Sequence, residues 1–253
     1  MSRERDVRPD TVGGGAHMSV AAFILIGVTV LVCAFIQGST GMGFAMVAAP
    51  VVTLLDPSLI PVMLLVLMIP LNAYIGWRER EALDWRGVKW ISVGRFAGTF
   101  IGLWILLIVN LQQLGLLIGW STVVAAAVAL MVPAFDPNRT GMMIVGFITG
   151  ITETSTGVGG PPLALAYQHK PGPVLRSTVA VCFLVGEVIS LVVLAFSGRI
   201  SGETLLLCAA LLPFIAAGSF ASRFVHHRLD GRLLRYIVLG FAIISGIVVI
   251  LQA

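Results

Sequence analysis

The chain has 253 residues, of which 58% are hydrophobic and only 11% charged, against about 25% charged in an ordinary soluble domain. A water-soluble fold of this length cannot hide so much apolar surface, so lipid must solvate most of it; the length allows one compact membrane domain and no sizeable soluble one. The net charge of +4 comes from few residues, mostly placed between apolar runs, and reads as membrane topology rather than a nucleic-acid surface, because no basic stripe is interleaved with aromatics.

Residues 1–18 mix Arg3, Arg5 and Arg8 with Glu4, Asp6 and Asp10. They contain no apolar core of a signal peptide. With Gly13, Gly14 and Gly15 they are expected to be a disordered leader, native or an appendage ahead of a start at Met18. Apolar stretches follow at 19–37, 43–55, 59–77, 88–109, 113–133, 141–167, 173–197, 203–222 and 232–252. A helix crossing the hydrocarbon needs about 20 apolar residues. Stretches 59–77, 88–109, 113–133, 173–197, 203–222 and 232–252 fit that rule as single crossings. Regions 19–55 and 139–168 do not: each is long and is interrupted by a small, polar, glycine-rich run, Gln37 to Gly43 and Glu153 to Gly160.

Basic residues set the expected orientation. Arg78, Arg80, Arg86 and Lys89 cluster in one loop, and Arg223, Arg228, Arg232 and Arg235 in another; both should be cytoplasmic. Loops 134–140 and 168–176 then also lie inside, and loops 56–58, 110–112 and 198–202 outside. Region 141–167 must therefore leave the cytoplasmic side and return to it, as a re-entrant hairpin or two short helices. Region 19–55 starts and ends outside. That places Arg3, Arg5 and Arg8 against the positive-inside rule, an objection their acidic neighbours soften.

The two interruptions resemble each other. Ser39-Thr40-Gly41-Met42-Gly43 matches Ser155-Thr156-Gly157-Val158-Gly159, with Gln37 and Glu153 at the same preceding offset. Each half reads as one hairpin followed by three crossings, over 19–133 and 139–253. Three is odd, so the second half should be inverted relative to the first. The expected fold is an all-α polytopic membrane protein of two inverted repeats, each a broken helical hairpin plus three transmembrane helices. This is the plan of secondary transporters, whose broken helices meet near the midplane.

Unwound backbone is tolerated in the membrane only where protein or a water-filled cavity covers it. Glycine permits the turn, and the helix that resumes points free N–H groups and a partial positive charge at the tip. Two opposed tips would surround one volume suited to an oxyanion. On this reading Ser39, Thr40, Gly41 and Gly43 bind substrate together with Ser155, Thr156, Gly157, Gly159 and Gly160, the hydroxyls acting as adjustable donors. The competing reading is close helix packing, the role also expected of Gly94, Gly98 and Gly102 at i, i+4 and i+8. Pro50, Pro161 and Pro162 favour broken helices; Pro161 and Pro162 stand where the first turn of a new helix has no use for their missing N–H groups.

These motifs, Gly38-Ser39-Thr40-Gly41-Met42-Gly43-Phe44 followed by Pro50, and Thr154-Ser155-Thr156-Gly157-Val158-Gly159-Gly160-Pro161-Pro162, set in two related halves, resemble the TauE/SafE family of sulfite and organosulfonate exporters, also called the toluene-sulfonate uptake permease family. The resemblance spans residues 19–253. It implies transport of small sulfur oxyanions or of carbon compounds carrying them.

Ionisable groups at membrane depth are costly and are functional candidates by default. Glu153 precedes the second tip and could carry a proton or cap the tip. Glu187, mid-way along 173–197, could couple transport to an ion or pair with Arg95. Arg95 could attract a forked oxyanion, or snorkel to the cytoplasmic surface. Gln37, Asn72 and Tyr74 could line a cavity or bond between helices.

The leading expectation is alternating-access transport of a small sulfur-containing anion across the inner membrane, with a proton or sodium as possible coupling ion. An anion channel, a carrier of another small organic anion and a cation carrier are the other readings. An enzyme is not expected: there is no HExxH and no pair of intramembrane aspartates, and His169, His226 and His227 fall in loops. Cys33, Cys182 and Cys208 sit in apolar runs as small buried hydrophobes. No cofactor or metal is implied, and the oligomeric state is left open.

Overall fold

A computed structural model describes residues 19–133, 135–225 and 231–253, except the side chains of Val225, Gly231 and Arg232. The expected leader, 1–18, and residues His226, His227 and Arg228 lie outside the described residues. Within them the chain is all-helical. The first half carries α1 (Val20–Thr40), α2 (Phe44–Leu55), α3 (Val62–Arg78), α4 (Trp85–Ile108) and α5 (Leu111–Met131). The second carries α6 (Arg139–Thr156), α7 (Gly160–Tyr167), α8 (Gly172–Phe196), α9 (Gly202–Val225) and α10 (Gly231–Gln252). Helices α1, α4, α5, α8, α9 and α10 are long and apolar enough to cross a membrane, and α2 and α3 are shorter apolar helices. The protein is a multi-pass membrane protein.

Local chemistry sets the helix starts. Ser19, Asp84 and Asn138 each accept a bond from the N–H three residues on, and Asn110 forms a reciprocal capping box with Gln113, which satisfies N–H groups that lipid could not. At the first break the structure departs from the hydropathy pattern. The apolar stretch 19–37 does not stop at Gln37; the helix runs on to Thr40. Ser39 and Thr40 donate to the carbonyls of Phe35 and Ile36 four residues back, so polar side chains continue the helix by turning inward on its own backbone. Region 19–55 is thus one helix long enough to cross, followed by a helix of 12 residues.

Helices pair across the halves. α1 packs on α9 and α6 on α4; α3 packs on α8 and α5 on α10; α2 lies against α10 and α7 against α5. Advancing each helix by five exchanges α1–α9 with α6–α4 and α2–α10 with α7–α5, and turns α3–α8 and α5–α10 into themselves. The tightest contact, α4 on α6, follows from glycine. A Cβ on Gly102 would lie 2.6 Å from the Ile151 carbonyl oxygen, and Gly94 and Gly98 abut the backbone of Met143 and Phe147 in the same way. Small residues at four-residue spacing let the two backbones touch, which drives helix association where lipid removes the hydrophobic effect. The opposite face of α4 shows Phe96, Phe100 and Trp104 to the surroundings, as a lipid-facing stripe should.

Candidate functional site

Both breaks end their first helix in one geometry, although the second helix then starts from Gly43 at φ 112° in one and from Gly159 at φ −116° in the other. Gly41 and Gly157 close α1 and α6 in the left-handed conformation, at φ 84° and 77°. Each donates its N–H to the carbonyl four residues earlier, Gln37 and Glu153, at 2.8 Å. Thr40 and Thr156 each bond back into their helix and accept from the N–H two residues ahead at 3.3 Å. Only glycine takes that φ without strain, so a repeated sequence motif becomes a repeated turn.

The two tips are not brought together. A Cβ on Gly41 would meet Leu175 and Arg176 at the start of α8, and one on Gly157 would meet Leu64 at the start of α3. Arg78, at the far end of α3, donates to the Gly38 carbonyl at 2.9 Å. Leu64 and Arg78 are separated by 14 residues of α3, about 21 Å of helix. The tips therefore occupy opposite ends of the α3–α8 pair rather than one shared volume near the midplane. Their serines and threonines also donate to carbonyls of their own helices, and the amides of Gly41, Met42, Phe44, Gly157 and Val158 are committed as well, so most of the donors of each tip are taken.

What lies between the ends is a buried polar centre. Gln37, Asn72, Arg95, Glu153 and Glu187 are at most 1% exposed. Arg95 is paired with Glu153 through Nη2 and Oε2, donates from Nη1 to the Cys182 carbonyl at 3.0 Å, and lies over the Phe183 ring, 5.7 Å from its centroid. This corrects two expectations. Arg95 does not snorkel, because α4 begins at Trp85, which puts Arg95 about 15 Å into the helix rather than near its mouth. Its ion-pair partner is Glu153, not Glu187. The close α4–α6 contact sets the two helices side by side, and Gly186 on α8 leaves the space that the guanidinium fills.

Glu187 belongs to a second strand of the same centre. It accepts from the Asn72 amide at 2.6 Å, Asn72 accepts from Gln37 at 3.3 Å, and Gln37 accepts from the Phe44 N–H at 3.2 Å. Phe44 is the first residue of α2. The chain of amides therefore runs from the resuming helix of the first hairpin to a carboxylate on α8. Oε2 of Glu187, Oε1 of Glu153 and Nε of Arg95 are buried without a hydrogen-bond partner. Breaking a buried pair such as Arg95–Glu153 by removing one partner costs about 3–5 kcal/mol, so so much polarity in a membrane interior calls for a purpose.

Comparison with known families supplies one. A model of the family described as sulfite exporter TauE/SafE matches residues 18–249, nearly the whole chain. The chain belongs to the TauE/SafE family. No curated protein and no solved structure matched it. TauE/SafE proteins are membrane transporters that export sulfite, so the buried centre of this member lies in a protein built to move a small anion.

Three features of this TauE/SafE chain were not expected from its sequence. Arg78, Glu79 and Arg176 form an ion cluster at the end occupied by the first tip, with Arg176 Nε at 2.9 Å and Arg78 Nη2 at 3.0 Å from Glu79. Glu79 was the available signal, an acid inside a basic loop. Thr154 and Ser190 bond at 2.8 Å beside the centre. A cavity of about 500 Å³ lies between α5, α6 and α7, with walls that include Val124, Ile148, Val158 and Leu165; Arg95, Glu153 and Glu187 do not line it.

Proposed function

We propose that this TauE/SafE member is a secondary transporter of the cytoplasmic membrane that exports small sulfur-containing anions, sulfite or an organosulfonate, by alternating access. One observation carries the reading: a guanidinium sits fully buried at mid-depth beside the second broken hairpin, with Nε lacking a hydrogen-bond partner. Guanidinium is the side chain whose planar fork matches an oxyanion. An anion that displaced the Glu153 carboxylate would exchange one oxyanion for another on Arg95, and the charge of the centre would stay unchanged only if the displaced carboxyl took up a proton.

The repeated tip geometry and the five-helix exchange of contacts support two inverted repeats, 19–133 and 139–253. Inverted repeats supply the two states that alternating access needs. The tips at Ser39, Thr40, Gly41 and Gly43 and at Ser155, Thr156, Gly157, Gly159 and Gly160 serve as the two ends of the route, where the positive N-terminal ends of α2 and α7 attract the entering anion. The Arg78–Glu79–Arg176 cluster supports a state closed at the first tip, which the basic loops assign to the cytoplasmic side. Gln37, Asn72, Glu153 and Glu187 line the centre, and a proton or sodium bound there would couple the cycle.

Uptake of labelled sulfite and methanesulfonate into proteoliposomes tests the reading. Saturable uptake of one that the other inhibits and chloride does not is expected. Uptake that chloride blocks equally, or that fails to saturate, would point to a general anion channel. No uptake of either would move the substrate to another class.

A further inference from the structure

We propose that Glu187 is the residue that binds a coupling proton, and that Asn72 and Gln37 relay its charge state to the start of α2. The proposal rests on the transport reading above, and names the ion and the residue that reading leaves open.

The first argument is a charge count. Among the described residues the charged side chains with no exposure are Arg95, Glu153 and Glu187, one cation and two carboxyls. Arg95 is spent on Glu153 and on the Cys182 carbonyl. The partner that faces Glu187 from α3 is Asn72, which is neutral. The charges acting on Glu187 are Glu153 from α6, which repels its anion, and Arg95 from α4, which attracts it. With both carboxyls ionised the centre carries one surplus negative charge in a dry interior, a costly arrangement. One monovalent cation restores neutrality.

The second argument says where that cation goes and which one it is. Oε1 of Glu187 is used by Asn72, whereas Oε2 is buried and unpartnered. A proton on Oε2 needs no second ligand and leaves the Asn72 bond in place. Sodium is held by several oxygens, such as unwound carbonyls, and Glu187 lies inside the continuous helix α8, whose carbonyls are committed to the helix. The proton comes from water on one face, forms an O–H bond at Oε2, and returns to water on the other.

The third argument concerns direction. A backbone N–H only donates, so the atom of Gln37 that meets Phe44 must be Oε1. The Gln37 amide nitrogen must then donate to Asn72 Oδ1, and the Asn72 nitrogen to Glu187. No amide in the chain can be flipped without setting donor against donor. An ionised Glu187 accepts a stronger, charge-assisted bond than a protonated one. Loss of the proton therefore tightens the relay on Phe44, and binding of the proton slackens it. The first turn of α2, next to the first tip, feels which state Glu187 is in.

The experiment uses the full chain in proteoliposomes with methanesulfonate, which stays ionised across the working pH range. In the wild type an imposed proton gradient changes the flux; in Glu187→Gln the rates with and without the gradient become equal, whatever the absolute rate. Gln keeps an oxygen for Asn72 and is nearly isosteric, so folding is expected. A second readout needs no substrate: infrared spectra of the reconstituted wild type show a protonated carboxyl band that Glu187→Gln lacks. Gln37→Leu keeps that band but loses the gradient response. Overturning results are a band or a gradient response that persists in Glu187→Gln, or their absence from the wild type. A gradient response retained by Gln37→Leu would overturn the relay. Absence of methanesulfonate and sulfite exchange in the wild type would fail the transport reading instead, and the band would still decide the proton.

Discussion

Replacement of Glu153 by Gln isolates the buried ion pair. Arg95 would keep its charge and its bond to the Cys182 carbonyl, but the carboxylate against Nη2 would be gone. Both side chains are fully buried, so water cannot compensate, and the expected loss is about 3–5 kcal/mol. At roughly 2–4 °C per kcal/mol for a chain of this size, melting in detergent should fall by about 6–20 °C. The double variant Arg95→Met, Glu153→Leu removes both charges at similar volume. It should recover most of that loss, because apolar replacement of a whole buried pair is often neutral or stabilising. Sulfite flux should be lost in both. Thermal unfolding followed by a thiol-reactive dye and flux in proteoliposomes are the assays. An unchanged melting temperature in Glu153→Gln, or a double variant no more stable than the single, would refute the claim that the pair is a stability-critical charge balance.

Gly186→Val should displace the Arg95 guanidinium, whose space Gly186 provides, and abolish flux; wild-type flux would show that Arg95 need not sit there. Gly41→Leu and Gly157→Leu force a branched residue to φ 84° and 77°, at about 1–2 kcal/mol each plus overlap with Leu175 and Leu64. Transport should disappear while membrane insertion stays normal, and normal flux in both would remove the tips from the route. Gly102→Leu should separate α4 from α6 and lower the yield of monodisperse protein in detergent; an unaltered elution profile would contradict the packing argument. Glu79→Gln should loosen the Arg78–Glu79–Arg176 cluster and speed labelling of a Ser39→Cys probe by an impermeant maleimide, and an equal labelling rate would show that the cluster does not close that end.

Hydropathy made most of the helices legible, because lipid demands about twenty apolar residues or an explanation for fewer. The two breaks were legible for a different reason: Ser-Thr-Gly-x-Gly occurs twice, and glycine in the left-handed conformation is hard to replace. Depth was less legible. A motif says where a helix stops but not how far across the membrane it has travelled, and α1 can run on to Thr40 because the carbonyls of Phe35 and Ile36 accept from the Ser39 and Thr40 hydroxyls, which need no other partner. Hence the tips were expected at the midplane and lie at opposite ends. Arg95, Glu153 and Glu187 were visible as charges in apolar runs, but their pairing depends on which helices touch. The Gly94, Gly98 and Gly102 stripe set that contact, and without its partner helix the stripe could not identify Glu153 over Glu187.

The most direct test of a carrier for small sulfur anions is counterflow. Proteoliposomes loaded with unlabelled sulfite are diluted into a trace of labelled sulfite, with wild-type protein and with Arg95→Met, Glu153→Leu. The account predicts transient accumulation of label above equilibrium in the wild type, and none in the double variant. Label that only equilibrates with the wild type, or accumulates equally with both, would contradict it.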